Sequence, residues 1–310
     1  FYIANLLVGV LDTDEPQKPF LIACKRLPTT NFETICQFIN KSLTAFSSTI
    51  NGRVLLLLTD AAPYMVKAAK TEAHGINRVA EVARELCPGV NKLVNNGKKA
   101  FLKAPSRVAI YQEIMPDSPL PPEPIITRWG TWLEAAIFYA NNYEKFAAVV
   151  RRLEDDAESV KKLKLLIEER SVQNELIFIK THLCFLPECL KQLENQGMSL
   201  YDSISIVQDV KSKIIRIPGE KGKRLKSKLD NVLEKNVGFK TLEQYSTILT
   251  GDGEGNEDIK VEMIPKFKYA PITSVDVERS FSIYKHILDS RRCNFTEENL
   301  EMYIVCNYNA

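Results

Sequence analysis

The chain has 310 residues, 45% hydrophobic and 26% charged, with a formal net charge of +2. That balance is ordinary for a globular protein and excludes a disordered or collagen-like chain, while the length supports a large core and two structural lobes. No apolar run is long enough to cross a membrane and no charged-then-apolar leader opens the sequence, so no membrane partner is expected.

The apolar stretches 1–11 and 19–27 flank the turn-forming DTDEPQK, which predicts a β-hairpin. Thr30 to Glu33 fits a capping box opening a helix with Ile35, Ile39, Leu43 and Phe46 on one face. Val54–Leu58 then runs unbroken into Thr59 and Asp60, as a strand buried on both faces would. Strand, strand, helix, strand predicts a mixed sheet whose last strand is reached by a crossover helix. A helix is expected over 75–86, ended by Pro88, with Ile76, Val79, Ala80 and Ala83 inward. Residues 90–104 read as a short helix or a loop, basic at Lys98, Lys99 and Lys103, and the Pro-rich run 115–124 reads as a linker.

Long amphipathic helices follow over 131–154, 157–170, 172–194 and 200–216. Next comes a basic stretch. Between Lys211 and Lys228 eight basic residues stand against one acid, a net +7 that leaves −5 on the rest of the chain. Lys221, Lys223, Arg224 and Lys226 lie at its centre and suit either phosphate contact or a solvated helix face. The acidic, Gly-rich 251–258 is a surface loop. Two tail helices close the chain, one capped by Ser274 and running to about Leu288, the other capped by Thr296 with Phe295 able to staple onto Leu300. Helices this short must pack on something, either their own sheet or a second copy. Tyr303 and Tyr308 are the residues left for a dimer contact.

Seven cysteines without a framework spacing suit reduced thiols in an intracellular protein. His182, Cys184 and Cys189 lie close together but lack the second Cys-x2-Cys half of a zinc site.

Chemistry in open α/β sheets collects beyond the carboxyl ends of strands, where Asp60 would sit. Asp60 alone equally suits a helix N-cap, so a site needs a partner, and the best candidate is Glu278 in SVDVERSFS. Asp60 could simply start a turn, with Glu278 paired to Arg279 or Lys285. Phosphodiester cleavage by two metal ions needs several carboxylate oxygens converging from different elements.

Three stretches in order, LLTDAAPYM (57–65), TRWGTW (127–132) and SVDVERSFS through the last Asn (274–309), resemble the hAT superfamily of DNA transposases and their domesticated descendants. The resemblance implies an α/β, RNase H-like mixed sheet, here lacking its first strand and interrupted by a large helical insertion. On that reading residues 1–114 are the N-terminal part of the RNase H-like domain, 115–130 a linker, 131–250 the insertion, and 251–310 the C-terminal part with a dimerisation region. It also implies Mg2+ or Mn2+ held by two Asp and one Glu, with Asp60 and Glu278 as two of the three, and DNA and a second copy as partners in a nuclear or otherwise intracellular setting. Arg128 and Trp129 match the family's Thr-Arg-Trp motif, and Trp129 would either stack on an extruded base or fill the core where linker meets helix. His74 matches a family histidine, as a site residue or a structural one.

Two departures bear on activity. The family's first catalytic Asp lies on a strand that would precede Phe1, so no residue of this chain takes that role. The connection from Asp60 to His74 is short, and the position three residues upstream of the histidine is Thr71, where the family has Cys. The reading is therefore a transposase-derived, DNA-associating, dimerising protein with an incomplete catalytic centre in this chain. A fragment of an active transposase and a pure protein-interaction module are the alternatives.

Overall fold

The computed structural model describes residues 2–47, 49–50, 53–58, 75–125, 129–235, 237–253, 261–287 and 295–310. Trp129 and Glu278 are described in their backbones alone. The described residues are mostly helical, at 68%, and hold one two-stranded antiparallel sheet, so both α and β structure are present. Contacts divide the chain into two compact units, one of residues 1–75, 193–207 and 232–310, the other of 76–192 and 208–231. The first boundary between these units falls at Gly75.

The first unit is built on the expected hairpin. β1 (Tyr2–Val8) pairs antiparallel with β2 (Phe20–Leu27), with a register shift between Leu6 and Leu7. Side chains alternate between faces along a strand, so the hairpin can cover two cores. Leu6, Ala23 and Leu27 pack with Ile35, Phe38 and Leu43 of α1 (Phe32–Phe46). Leu21 and Cys24 pack with Ile287, Ile304 and Tyr308. Those three belong to α12 (Val275–Ile287) and α13 (Glu297–Asn309), the tail helices. Thr296 caps α13 as expected, its hydroxyl accepting from the Asn299 N–H, and Phe295 and Leu300 pack against the same cluster.

Two expectations fail here. Asn31, not Thr30, caps α1: its Oδ1 accepts from the Thr34 N–H at 2.8 Å, because the helix starts one residue later than the capping-box spacing required. Val54–Leu58 is not a strand of the sheet. Val54 is 46% exposed and Leu55 40%, so the run is not buried on both faces. Apolar content alone does not make a strand, which needs a neighbouring backbone to complete its ladder.

The second unit is a helical core. α2 (Gly75–Glu85) buries Val79, Ala80 and Ala83 as expected. Pro88 does not end that segment so much as open the next: it occupies the first turn of α3 (Pro88–Phe101), where its missing N–H costs nothing. Of the two readings of 90–104, helix holds as far as Phe101. α4 (Pro105–Ile114) was not foreseen; its apolar residues follow no helical stripe, and Tyr111 carries its burial. The Pro-rich run is tied down, with the Tyr111 hydroxyl donating to the Pro119 carbonyl at 2.6 Å.

α5 (Trp129–Arg152) is bent at Asn142, whose amide donates to the Phe138 carbonyl and so competes with the helix ladder. Trp132 is buried. α6 (Glu158–Glu168) follows, and the single helix expected over 172–194 is two, α7 (Arg170–His182) and α8 (Leu186–Leu193). α9 (Leu200–Ile215) and α10 (Gly219–Lys235) supply residues 208–231 of this unit. In the first unit α11 (Val237–Leu249), another helix not foreseen, precedes a 3-10 helix at Val261–Tyr269.

Gly97 on α3 marks a close approach within the second core. A Cβ there would meet the Tyr139 hydroxyl and ring of α5, so only glycine lets the two helices approach this closely. No helix of the described residues is long and apolar enough to cross a membrane.

Candidate functional site

The expected triad positions are only partly accessible. Asp60, His74 and Arg128 lie outside the described residues, as do most residues of the motif 57–65. Among the described residues no group of three His, Cys, Asp or Glu is placed to hold a metal ion. His182, Cys184 and Cys189 fall under the same statement. What is described is the frame around Glu278.

That frame is held by side chains far apart in sequence. The Asn5 amide on β1 donates to the Ser280 hydroxyl at 2.6 Å, and the buried Ser280 in turn donates to the Val277 carbonyl at 2.6 Å. The contact anchors α12 to β1 two residues beyond Glu278. Asp276 accepts from the Gln196 amide at 2.6 Å and from the Arg279 guanidinium at 3.1 Å, while Arg279 also donates to the Glu194 carbonyl at 2.8 Å. Thr273 donates to the Leu193 carbonyl. Arg279 is thus engaged with Asp276 and the segment after α8.

The last turn of α13 closes the other side. The Leu21 N–H donates to Asn309 Oδ1 at 3.0 Å, and Asn309 Nδ2 donates to the Leu21 carbonyl at 2.9 Å. One side-chain amide therefore completes the hydrogen bonding of a β2 residue in the way a neighbouring strand would. Asn309 carried no expected role beyond ending the motif. Its alternating donor and acceptor, opposite a strand edge, was the available signal.

The two tyrosines of the tail part company. Tyr308 is 7% exposed and packs with Leu21, Cys24 and Ile304 of its own chain, with burial raising its hydroxyl pKa above the ordinary tyrosine range. Tyr303 is 40% exposed, its ring tilted on Phe295 at 5.6 Å. Met302 and Cys306 are exposed on the same helix. Of the residues expected at a contact between copies, Tyr303 presents surface and Tyr308 does not.

The basic window is also sorted by the fold. Leu225 and Leu229 bury one face of α10, which turns Lys223, Arg224 and Lys226 outward. Lys221 goes the other way. Its ammonium lies 5.0 Å from the centre of the Phe178 ring and 3.9 Å from Cys87 Sγ, a cation–π contact that holds it on the core of this unit. Lys223 is near Glu220 at 3.6 Å, and Lys213 pairs with Asp209 at 2.7 Å. Lys211, Arg216, Arg224 and Lys226 are exposed and have no carboxylate partner among the described residues.

No protein-family model matches the chain, and no curated protein matches it.

Proposed function

We propose that the protein is transposase-derived, associates with DNA through phosphate contacts, and self-associates through its tail. The observation that supports this most is the closure of the C-terminal motif on the N-terminal hairpin. The resemblance implies an RNase H-like domain whose two parts are separated by a helical insertion, and such a domain requires residues near positions 5 and 280 to meet. The 2.6 Å contact between Asn5 and Ser280 is of that kind. Asp60 and Glu278 are the carboxylates that would descend from the triad, with Mg2+ or Mn2+ as its ions, and Arg128 and Trp129 are DNA-facing candidates. A nuclear setting follows from the same reading.

For the DNA contact, Lys211, Arg216, Arg224 and Lys226 are the stronger set, since Lys221 is drawn inward and Lys223 has an acidic neighbour. Each phosphate neutralised steepens the salt dependence of affinity by about 0.9 in log–log slope on duplex DNA. Changing these four residues to Gln should weaken binding to arbitrary-sequence duplex and flatten the slope by about 3 to 4. Anisotropy titrations across salt read both. An affinity that does not depend on salt, or no affinity at low salt, overturns the DNA reading. Sedimentation of the wild type and of Tyr303→Glu tests self-association, and a wild type that remains monomeric at micromolar concentration overturns it.

A further inference from the structure

The sequence from Leu86 to Gln112 contains no Asp or Glu, yet it carries Lys92, Lys98, Lys99, Lys103 and Arg107. α3 occupies the middle of this stretch. Val90, Leu93, Val94, Gly97, Ala100 and Phe101 face inward, which sends Lys92, Asn95 and Lys99 out together. Positions three, four and seven apart share one helix face, so these three form a single stripe. Lys103 extends it just past the C-terminus, at φ 53, a left-handed conformation rare for a residue with a Cβ. Asn96 turns its amide back to the Lys92 carbonyl at 2.7 Å, leaving Asn95 as the polar group between the lysines.

The neighbouring acids are already engaged. Arg107 is paired with Asp156 at 2.8 Å. Glu175 of α7 accepts from the Val90 N–H in the first turn of α3, at the end away from Lys99. On the packed neighbour α6, Glu158 is paired with Lys162. Lys92, Lys98, Lys99 and Lys103 have no carboxylate partner among the described residues. The Lys221 contact with Cys87 sets the inward side of α10 beside the start of α3, within the same compact unit.

We propose that the outer stripe of α3, formed by Lys92, Lys99 and Lys103 with Asn95 between them, is a second contact for the phosphate backbone of DNA. The proposal rests on the reading of the protein as DNA-associating and adds a surface to it. From Lys92 to Lys99 the helix advances about 10 Å. A DNA strand carries one phosphate per about 3.4 Å of axis, so the helical part of the stripe spans about three phosphates and suits several contacts at once. An anionic bilayer fits less well. A membrane-surface helix must offer an apolar face to lipid, and the apolar face of α3 is already buried in the unit's core.

Two variants of the full chain test it: Lys92, Lys99 and Lys103 all changed to Gln, and the same three changed to Arg. These side chains are exposed, and circular dichroism melts confirm that both variants are folded. The Gln variant should lower the log–log salt slope for duplex binding by about 2 to 3, and the Arg variant should retain the wild-type slope. A Gln variant with unchanged slope, in a wild type that binds DNA and responds to the α10 substitutions, overturns this surface and leaves the wider reading intact. A wild type that binds no DNA overturns both. Binding by the wild type to anionic phosphatidylserine vesicles but not to DNA, lost in the Gln variant, overturns the proposal in favour of a lipid surface.

Discussion

The two compact units are stabilised in different ways. In the helical unit the core is fully buried: Leu93, Leu133, Phe146 and Val150 are at 0% exposure, and the rings of Phe101, Tyr111, Tyr139 and Phe146 meet edge to face. In the hairpin unit Leu6, Phe38 and Leu43 keep 7–9% exposure, and side-chain amides tie elements more than 270 residues apart. Apolar packing is non-directional and fixes a core without fixing a register. Amides are directional, and a small sheet with thin cores uses them to decide where its covering helices sit. The lesson is that the candidate site region depends on a few polar contacts, while the helical unit depends on volume.

The sharpest way to test that contrast is Phe146→Ala. Removing a fully buried ring from a core with little room to collapse should cost about 3 to 5 kcal/mol. A thermal or urea melt reads it, and a loss under about 1 kcal/mol would mean that the helical unit does not rest on close packing. Asn309→Ala is the matching test in the hairpin unit. It removes both hydrogen bonds to Leu21 and should cost about 1 to 3 kcal/mol, with faster amide exchange at β2 as its local signature.

Tyr139→Phe goes in the opposite direction. The Tyr139 hydroxyl is buried, has no hydrogen-bond partner among the described residues, and its pKa is raised far above the ordinary tyrosine range by burial. Removing it should stabilise the chain by about 1 kcal/mol and let Gly97→Ala fold with a smaller penalty than in the parent. A destabilised Tyr139→Phe would show that the hydroxyl is satisfied after all.

The smallest effect compares two thiols, one in each unit. Burial pushes Cys24 up to about 12, with Glu301 adding to it, and pushes Cys87 to about 12 against the opposing pull of Lys221. Both thiols therefore hold their protons in the folded state above the ordinary value of 9.0, where unfolded thiols lose them. Stability from this source is complete below about pH 9 and falls as pH rises from there toward 12. At neutral pH the exposed Cys184 and Cys306 should alkylate first and the two buried thiols slowly, Cys24 before Cys87. Labelling followed by peptide mapping gives the order, and Cys87 reacting before Cys24 would reverse the contrast between the units.

Much of the chain follows from local pattern. The hairpin at 2–27, the inward Val79, Ala80 and Ala83 and the Thr296 cap each depend on residues within a few positions of one another, so periodicity and capping chemistry suffice to find them. What local pattern leaves undecided shares one cause. Val54–Leu58 is apolar enough for a central strand, but strandhood is a property of two backbones, and Val54 and Leu55 are exposed. Tyr308 looks like a free aromatic on a short helix until Leu21 and Cys24 cover it. Lys221 is indistinguishable in sequence from Lys223, and only the placement of Phe178 and Cys87 draws one inward while the other stays out. The sequence by itself determined the hairpin, most of the helices and where charge accumulates, because those depend on neighbours along the chain. Tertiary structure decided which amides lock the tail to the hairpin and which lysines remain available to a partner, because those depend on residues brought together only when the chain folds.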